Sequence, residues 1–75
     1  MMRELDTVVL TRDLPEHGLT AGDIGAVVHR YPDGHAFEVE FVTAAGATLA
    51  VVTLDPRDVR PLVGHEILHV RELAP

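Results

Sequence analysis

The sequence predicts an all-β domain, a small antiparallel barrel of five or six strands. Residues 22–25, Gly-Asp-Ile-Gly, form a glycine turn that leads directly into a β-branched run, as at the sharp entry to a strand. Residues 37–41 read Phe-Glu-Val-Glu-Phe, an alternation that places three apolar side chains on one face and two glutamates on the other. With 75 residues, 47% of them hydrophobic, the chain has material for one core, so we expect one domain over residues 1–75.

The first half of the chain divides into strands and one long loop. Strands are predicted over residues 7–11, 25–31 and 36–42. Residues 12–22 carry proline, glycine and polar residues and predict a long loop, which Leu14 and Leu19 anchor to the core. Residues 32–34, Pro-Asp-Gly, predict the reversal between the second and third strands.

The second half continues the same pattern of short strands and turns. Further strands are predicted over residues 48–54 and 59–62, and a turn over residues 43–46. Asp55 resembles a helix cap and Pro56 suits the first helical position, so residues 55–58 predict one short helical turn. Pro61 places the fifth strand at an edge or at a strand end.

Residues 63–75 are predicted to extend beyond a barrel core at about residues 6–62. The apolar positions within 66–73 fit both helical and strand spacing. The β-branched side chains of Ile67 and Val70 favour a strand, which would be the sixth.

Five short strands, a long first loop and a helical turn before the last strand are typical of an SH3-like barrel. Segments over residues 6–19, 22–28, 37–41 and 54–62 resemble a family of small bacterial proteins known as a domain of unknown function. This resemblance covers about residues 4–62. More distantly, the glycine turn and the alternating strand resemble the SH3-like barrel of nitrile hydratase β subunits and of accessory electron-transfer subunits. That second resemblance implies an accessory subunit of a larger enzyme, although a fold does not determine a function.

Charge and composition exclude several classes of function. The chain has 12 acidic and 6 basic residues, all of the latter arginine, and a net charge of −6, which disfavours binding to nucleic acid phosphates. The absence of cysteine excludes disulfides and thiolate metal sites. No apolar run resembles a signal peptide or spans a bilayer, so we expect a cytoplasmic protein.

No catalytic, cofactor or metal site is predicted. Asp13, Glu16 and His17 cluster in the first loop, but no nucleophile accompanies them, and loop carboxylates commonly bond turn amides. His65 and His69 are the candidates for a metal pair, because they would share a face of a helix, but on a strand they are too far apart. The turn at residues 22–25 lacks the lysine and the following helix of a phosphate loop, so we interpret both of its glycines as conformational.

The sequence therefore predicts a non-catalytic module that acts through protein–protein contact, with an unknown partner or with a second copy. The accessory enzyme subunit is the alternative, and nucleic-acid binding is a third hypothesis that the charge disfavours. The predicted contact residues lie in the first loop, on the acidic face of the third strand and in the C-terminal extension: Arg12, Asp13, Glu16, His17, Glu38, Glu40, His69 and Arg71.

Overall fold

The computed structural model describes residues 2–73, and its strands form one antiparallel sheet. The strands are β1 (Thr7–Leu10), β2 (Ile24–Arg30), β3 (Phe37–Val42), β4 (Thr48–Leu54) and β5 (Val59–Pro61). One 3-10 helix, Pro15–His17, lies in the loop between β1 and β2. The predicted all-β class with five short strands is confirmed. No helix within the described range is long and apolar enough to cross a membrane.

The strand order in the sheet is β4-β3-β2-β1-β5. β1 through β4 follow one another as neighbours, and β5 returns to pair with β1 on its other side. Across residues 2–73 no pairing joins β4 to β5, so each of these strands has one edge without a neighbouring strand. Strands of this kind offer unpaired backbone donors and acceptors.

The alternation in β3 divides the sheet into an inner face, which packs on the core, and an outer face. Phe37, Val39 and Phe41 are at most 3% exposed, as predicted. Leu14 and Leu19 are both 2% exposed and bond each other across an isolated β-bridge, so the predicted anchoring of the first loop is confirmed. The core cluster also contains apolar residues of the other four strands: Val8, Leu10, Val27, Val52, Leu54 and Val59.

A β-bulge interrupts β2. Val27 pairs with Val39, but the next pair joins His29 to Glu38, so Val28 has no partner of its own. The extra residue reverses the inward and outward alternation of the strand. As a result His29 lies opposite Glu38 at the end of β2.

The two glycines of the turn that precedes β2 have different roles. Gly22 has a φ of 95°, in the region that only glycine adopts easily. Gly25 has no such φ. A Cβ atom there would lie 2.7 Å from Val39 Cγ1 and 3.0 Å from the Glu40 carbonyl oxygen. Gly25 therefore permits the close approach of β3.

Two local predictions had different outcomes. Residues 55–58 form a single turn, closed by a hydrogen bond of 2.8 Å from the amide of Asp58 to the carbonyl of Asp55, which is the spacing of one 3-10 turn and is too short to form a helix. Residues 63–73 form no strand, although Ile67 and Val70 have β-branched side chains. The two final residues of the predicted extension lie outside the described range.

Candidate functional site

The outer face of β3 carries the two glutamates that the sequence singled out. The Oε2 atom of Glu38 accepts hydrogen bonds from the hydroxyls of Tyr31 and Thr53, each at 2.6 Å. The Oε2 atom of Glu40 accepts one from the hydroxyl of Thr48, also at 2.6 Å. Thr53 lies directly opposite Glu38 in the β3–β4 register, which explains this pairing. Both carboxylates are thus held in fixed positions by neutral donors.

These hydrogen bonds affect the titration of both partners. The hydroxyls of Thr53 and Tyr31 hold the pKa of Glu38 below its usual range, because they stabilise the ionised carboxylate. The hydrogen bond to Glu38 raises the pKa of the Tyr31 phenol, because loss of the phenol proton would break this bond and place a second negative charge beside the carboxylate. Glu38 is therefore charged and Tyr31 neutral at physiological pH.

A histidine completes this face. The His29 ring stands edge-on to Tyr31, with ring centroids 4.8 Å apart and an interplanar angle of 86°. Its Nδ1 atom lies 3.8 Å from Glu4 Oε2. The bulge in β2 is what brings His29 to this position beside Glu38.

In the part of the chain that the structure describes, four of the six arginines form ion pairs with other carboxylates. Among residues 2–73, ion pairs join Arg12 to Asp58, Arg57 to Asp55, Arg60 to Glu66 and Arg71 to Asp23. None of the ion pairs in this range involves Glu38 or Glu40. Within residues 2–73, the two carboxylates of the outer face consequently have hydrogen-bond donors but no arginine in an ion pair with them.

Two of the predicted contact residues in the first loop, Arg12 and Asp13, make hydrogen bonds within the domain. The Nε atom of Arg12 donates to Asp58 Oδ1 at 2.7 Å, and Asp13 Oδ1 accepts from the amide of Ala21 at 2.9 Å. These bonds tie the loop to the β4–β5 turn and to its own far end. Glu16 and His17 lie on the 3-10 helix with their side chains exposed, and neither makes a side-chain hydrogen bond within the described residues.

The C-terminal extension is fastened to the sheet by two arginine–carboxylate pairs. Arg60 makes bonds of 2.8 and 2.5 Å to the two carboxylate oxygens of Glu66. The Arg60 guanidinium and the Val63 amide lower the pKa of Glu66 to about 2. Arg71 makes an equivalent pair with Asp23 and thereby lowers the pKa of that carboxyl. Sequence reasoning proposed Arg71 as a contact residue but missed its partner, which lies 48 positions away.

The histidine pair that the sequence singled out lies on an irregular part of the chain. His65 and His69 lie on the irregular extension, and both are exposed. In the described part of the chain, no cluster of three or more histidine or carboxylate side chains is positioned to hold a metal ion. His69 instead borders the apolar groove between the extension and the sheet.

Comparison with known sequences and structures adds one finding. No curated protein and no solved structure matches the chain significantly, so the predicted likeness to nitrile hydratase β subunits has no support from either comparison. Residues 4–61 match the family described as Domain of unknown function (DUF4926). This range agrees with the residues on which the family resemblance was predicted, and it contains all five strands. The chain therefore belongs to the DUF4926 family.

Proposed function

We propose that this protein is a non-catalytic interaction module that binds a basic partner protein through the outer face of β3 and β4. The observation that carries the proposal is the pair of fixed carboxylates, Glu38 and Glu40, which form no ion pair with an arginine in the described chain. Lysine or arginine side chains of a partner would supply the missing charges. Such complementarity selects partners and accelerates their association.

The neighbouring edge strand favours an extended partner segment. β4 has seven residues and one edge without a neighbouring strand. Val51, directly opposite Glu40, is 52% exposed, which puts an apolar contact beside the carboxylates. A partner strand added at this edge would gain backbone hydrogen bonds, while its side chains reach the outer face.

The pKa shifts of Glu38 and Tyr31 favour a binding role for this face over acid–base catalysis. A general acid or base works best with a pKa near the working pH. The pKa of Glu38 is instead lowered by its hydroxyl donors, and the pKa of Tyr31 is raised by Glu38. Both groups therefore keep one protonation state near neutrality, which suits a fixed hydrogen-bond network.

Affinity capture with charge-neutral variants tests the proposal. We expect the wild-type chain to retain a stoichiometric partner from native lysate, and Glu38→Gln/Glu40→Gln to lose it. Asp33→Asn/Glu72→Gln removes the same amount of charge at exposed positions outside this face and should retain it. Loss in the control pair but not in the Glu38/Glu40 pair, or capture that is insensitive to salt, would contradict binding through this face.

A further inference from the structure

Arg71 lies in an arginine-binding site that Gly18 and Asp23 form; this site is called the receptor below, and residues 2–62 are called the body of the domain. Its Nε atom donates to Asp23 Oδ1 at 2.8 Å, and one terminal nitrogen donates both to Asp23 Oδ2 at 2.5 Å and to the carbonyl of Gly18 at 3.0 Å. The amide of Thr20 donates to Asp23 Oδ2 at 2.9 Å and so orients the carboxylate. A carboxylate that accepts a forked pair of bonds, with a carbonyl beside it, is suited to the planar guanidinium group.

An apolar groove adjoins this receptor. Its volume is about 500 Å³, and the body of the domain contributes Leu19, Ile24, Phe41 and Leu49 to its lining. The extension contributes Val70 and Leu73. The groove thus combines an arginine receptor with apolar walls, which is the chemistry needed to bind a peptide that carries both kinds of side chain.

The extension places Arg71 in the receptor and forms one wall of the groove, but it makes few contacts. In the described chain, residues 67–73 make no backbone–backbone hydrogen bond, and Arg71 is their only side-chain hydrogen-bonding anchor. Ile67 is 84% exposed and Val70 is 96% exposed, so neither packs firmly on the sheet. A segment held mainly by one ion pair is readily displaced.

The receptor residues and Arg71 lie on different sides of the boundary of the family match. Gly18 and Asp23 lie within the residues that match the family, whereas Arg71 lies beyond them. The residues that bind Arg71 thus lie inside the range that matches the family, and the segment that carries Arg71 lies outside it.

We propose that the groove beside Gly18 and Asp23 binds an extended segment of a partner protein in which an arginine is flanked by apolar residues. The chain's own residues 67–73 act as the internal competitor for that segment. The partner is defined by the chemistry of the present occupant, in which Val70 precedes Arg71 and Leu73 follows it. This site uses different residues from Glu38 and Glu40, so either proposal can fail without the other.

The test uses the full-length chain and a synthetic peptide with the sequence of residues 63–73, capped at both ends. Arg71→Ala weakens the internal competitor and leaves the receptor intact. We expect this variant to bind the peptide saturably, as followed by NMR or calorimetry. The wild-type chain should bind it roughly tenfold more weakly or worse, because its receptor is already occupied.

Three controls assign the binding to the receptor. A peptide with alanine in place of its arginine should bind Arg71→Ala roughly tenfold more weakly, the loss expected for a charged hydrogen bond. Asp23→Asn, added to Arg71→Ala, should lower affinity similarly. Arg57→Ala removes an exposed arginine that pairs with Asp55, and should behave as the wild type does.

Several outcomes would overturn the proposal. These are the absence of saturable binding to a folded Arg71→Ala variant, equal affinities for the two peptides, and equal affinities of the wild type and Arg71→Ala. A wild-type dimer in sedimentation that Arg71→Ala abolishes would assign the groove to the extension of a second copy, and would also overturn it.

Discussion

Replacement of Gly25 by alanine tests the closest contact in the sheet. The added Cβ atom would lie 2.7 Å from Val39 Cγ1, and 3.0 Å from both the Glu40 carbonyl oxygen and Phe41 Cε1. Val39 is fully buried and Phe41 is 2% exposed, so neither side chain can turn toward solvent. The carbonyl belongs to the backbone of β3, which pairs with β2 through Ala26 and Glu40. The methyl group can be accommodated only if β2 and β3 move apart.

The expected cost follows from the packing of the core. Insertion of one methyl group into a well-packed interior costs about 1–3 kcal/mol. With three contacts at or below 3.0 Å, one of them to backbone, we expect the upper part of that range. For a domain of this size, each kcal/mol lowers the melting temperature by about 4–8 °C, so the drop should be about 10–20 °C.

The assay is thermal and urea unfolding followed by circular dichroism. Gly64→Ala is the matched control, since Gly64 has no atom within 4 Å of an added Cβ and no positive φ, and its effect should stay within about 0.5 kcal/mol. A double-mutant cycle identifies the cause. In a Val39→Ala background the nearest clash is gone, so Gly25→Ala should cost less there than in the wild type. Equal melting temperatures for Gly25→Ala and Gly64→Ala, or strict additivity with Val39→Ala, would refute the argument.

Three further predictions concern the core, the extension and the outer face. Phe41→Ala should cost about 3–5 kcal/mol in urea unfolding, whereas the exposed Val42→Ala should be nearly neutral, and equal effects would contradict the observed register. The lowered pKa of Glu66 means that its contribution to stability is present above about pH 4.5 and is lost as the pH falls toward 2. The stability of the wild type should therefore fall more steeply than that of Glu66→Gln in this window, and parallel curves would contradict the Arg60–Glu66 pair. Tyr31→Phe should raise the pKa of Glu38 in a carbon-13 NMR titration while Thr48→Val leaves it unchanged, and an unmoved pKa in Tyr31→Phe would argue against that hydrogen bond.

Most of the sheet could be predicted from local patterns. The alternation at residues 37–41 determines which face of β3 is buried, and the burial of Phe37 and Phe41 agrees with it. Leu14 and Leu19 are large apolar residues in a polar loop, and their burial was the expected outcome. In these cases the sequence pattern that supports the prediction lies within a few residues of the strand or loop that it predicts.

The errors arise where the outcome depends on distant residues. Ile67 and Val70 have strand propensity, but no strand pairs with the extension in the described chain, and propensity alone does not make a strand. A glycine that adopts positive φ and one that permits a close approach look the same in a sequence, so the difference between Gly22 and Gly25 appears only with β3 in place. The bond from the Thr20 amide to Asp23 is a local contact of the turn, but the pairing of Asp23 with Arg71 depends on the path of the whole chain.

The bulge in β2 determines which residues lie on the outer face, and no local sequence pattern predicts it. Residues 25–31 read as an uninterrupted strand, and strict alternation would place His29 and Arg30 on the faces opposite to those they occupy. The predicted contact residues Glu38 and Glu40 were correctly placed on the outer side. The donors that hold Glu38, on Tyr31 and Thr53, required the register of two neighbouring strands.

The bulge at Val28 also affects how members of the family should be aligned. Because one residue of β2 has no counterpart in β3, a relative that lacks this residue would keep continuous alternation through the strand. An alignment made without a gap at that point would match inward positions of one protein with outward positions of the other from His29 onward. Placing the gap at Val28 keeps the column that faces Glu38 distinct from the column that faces Phe37, which is the distinction needed to follow the outer face from one protein to another.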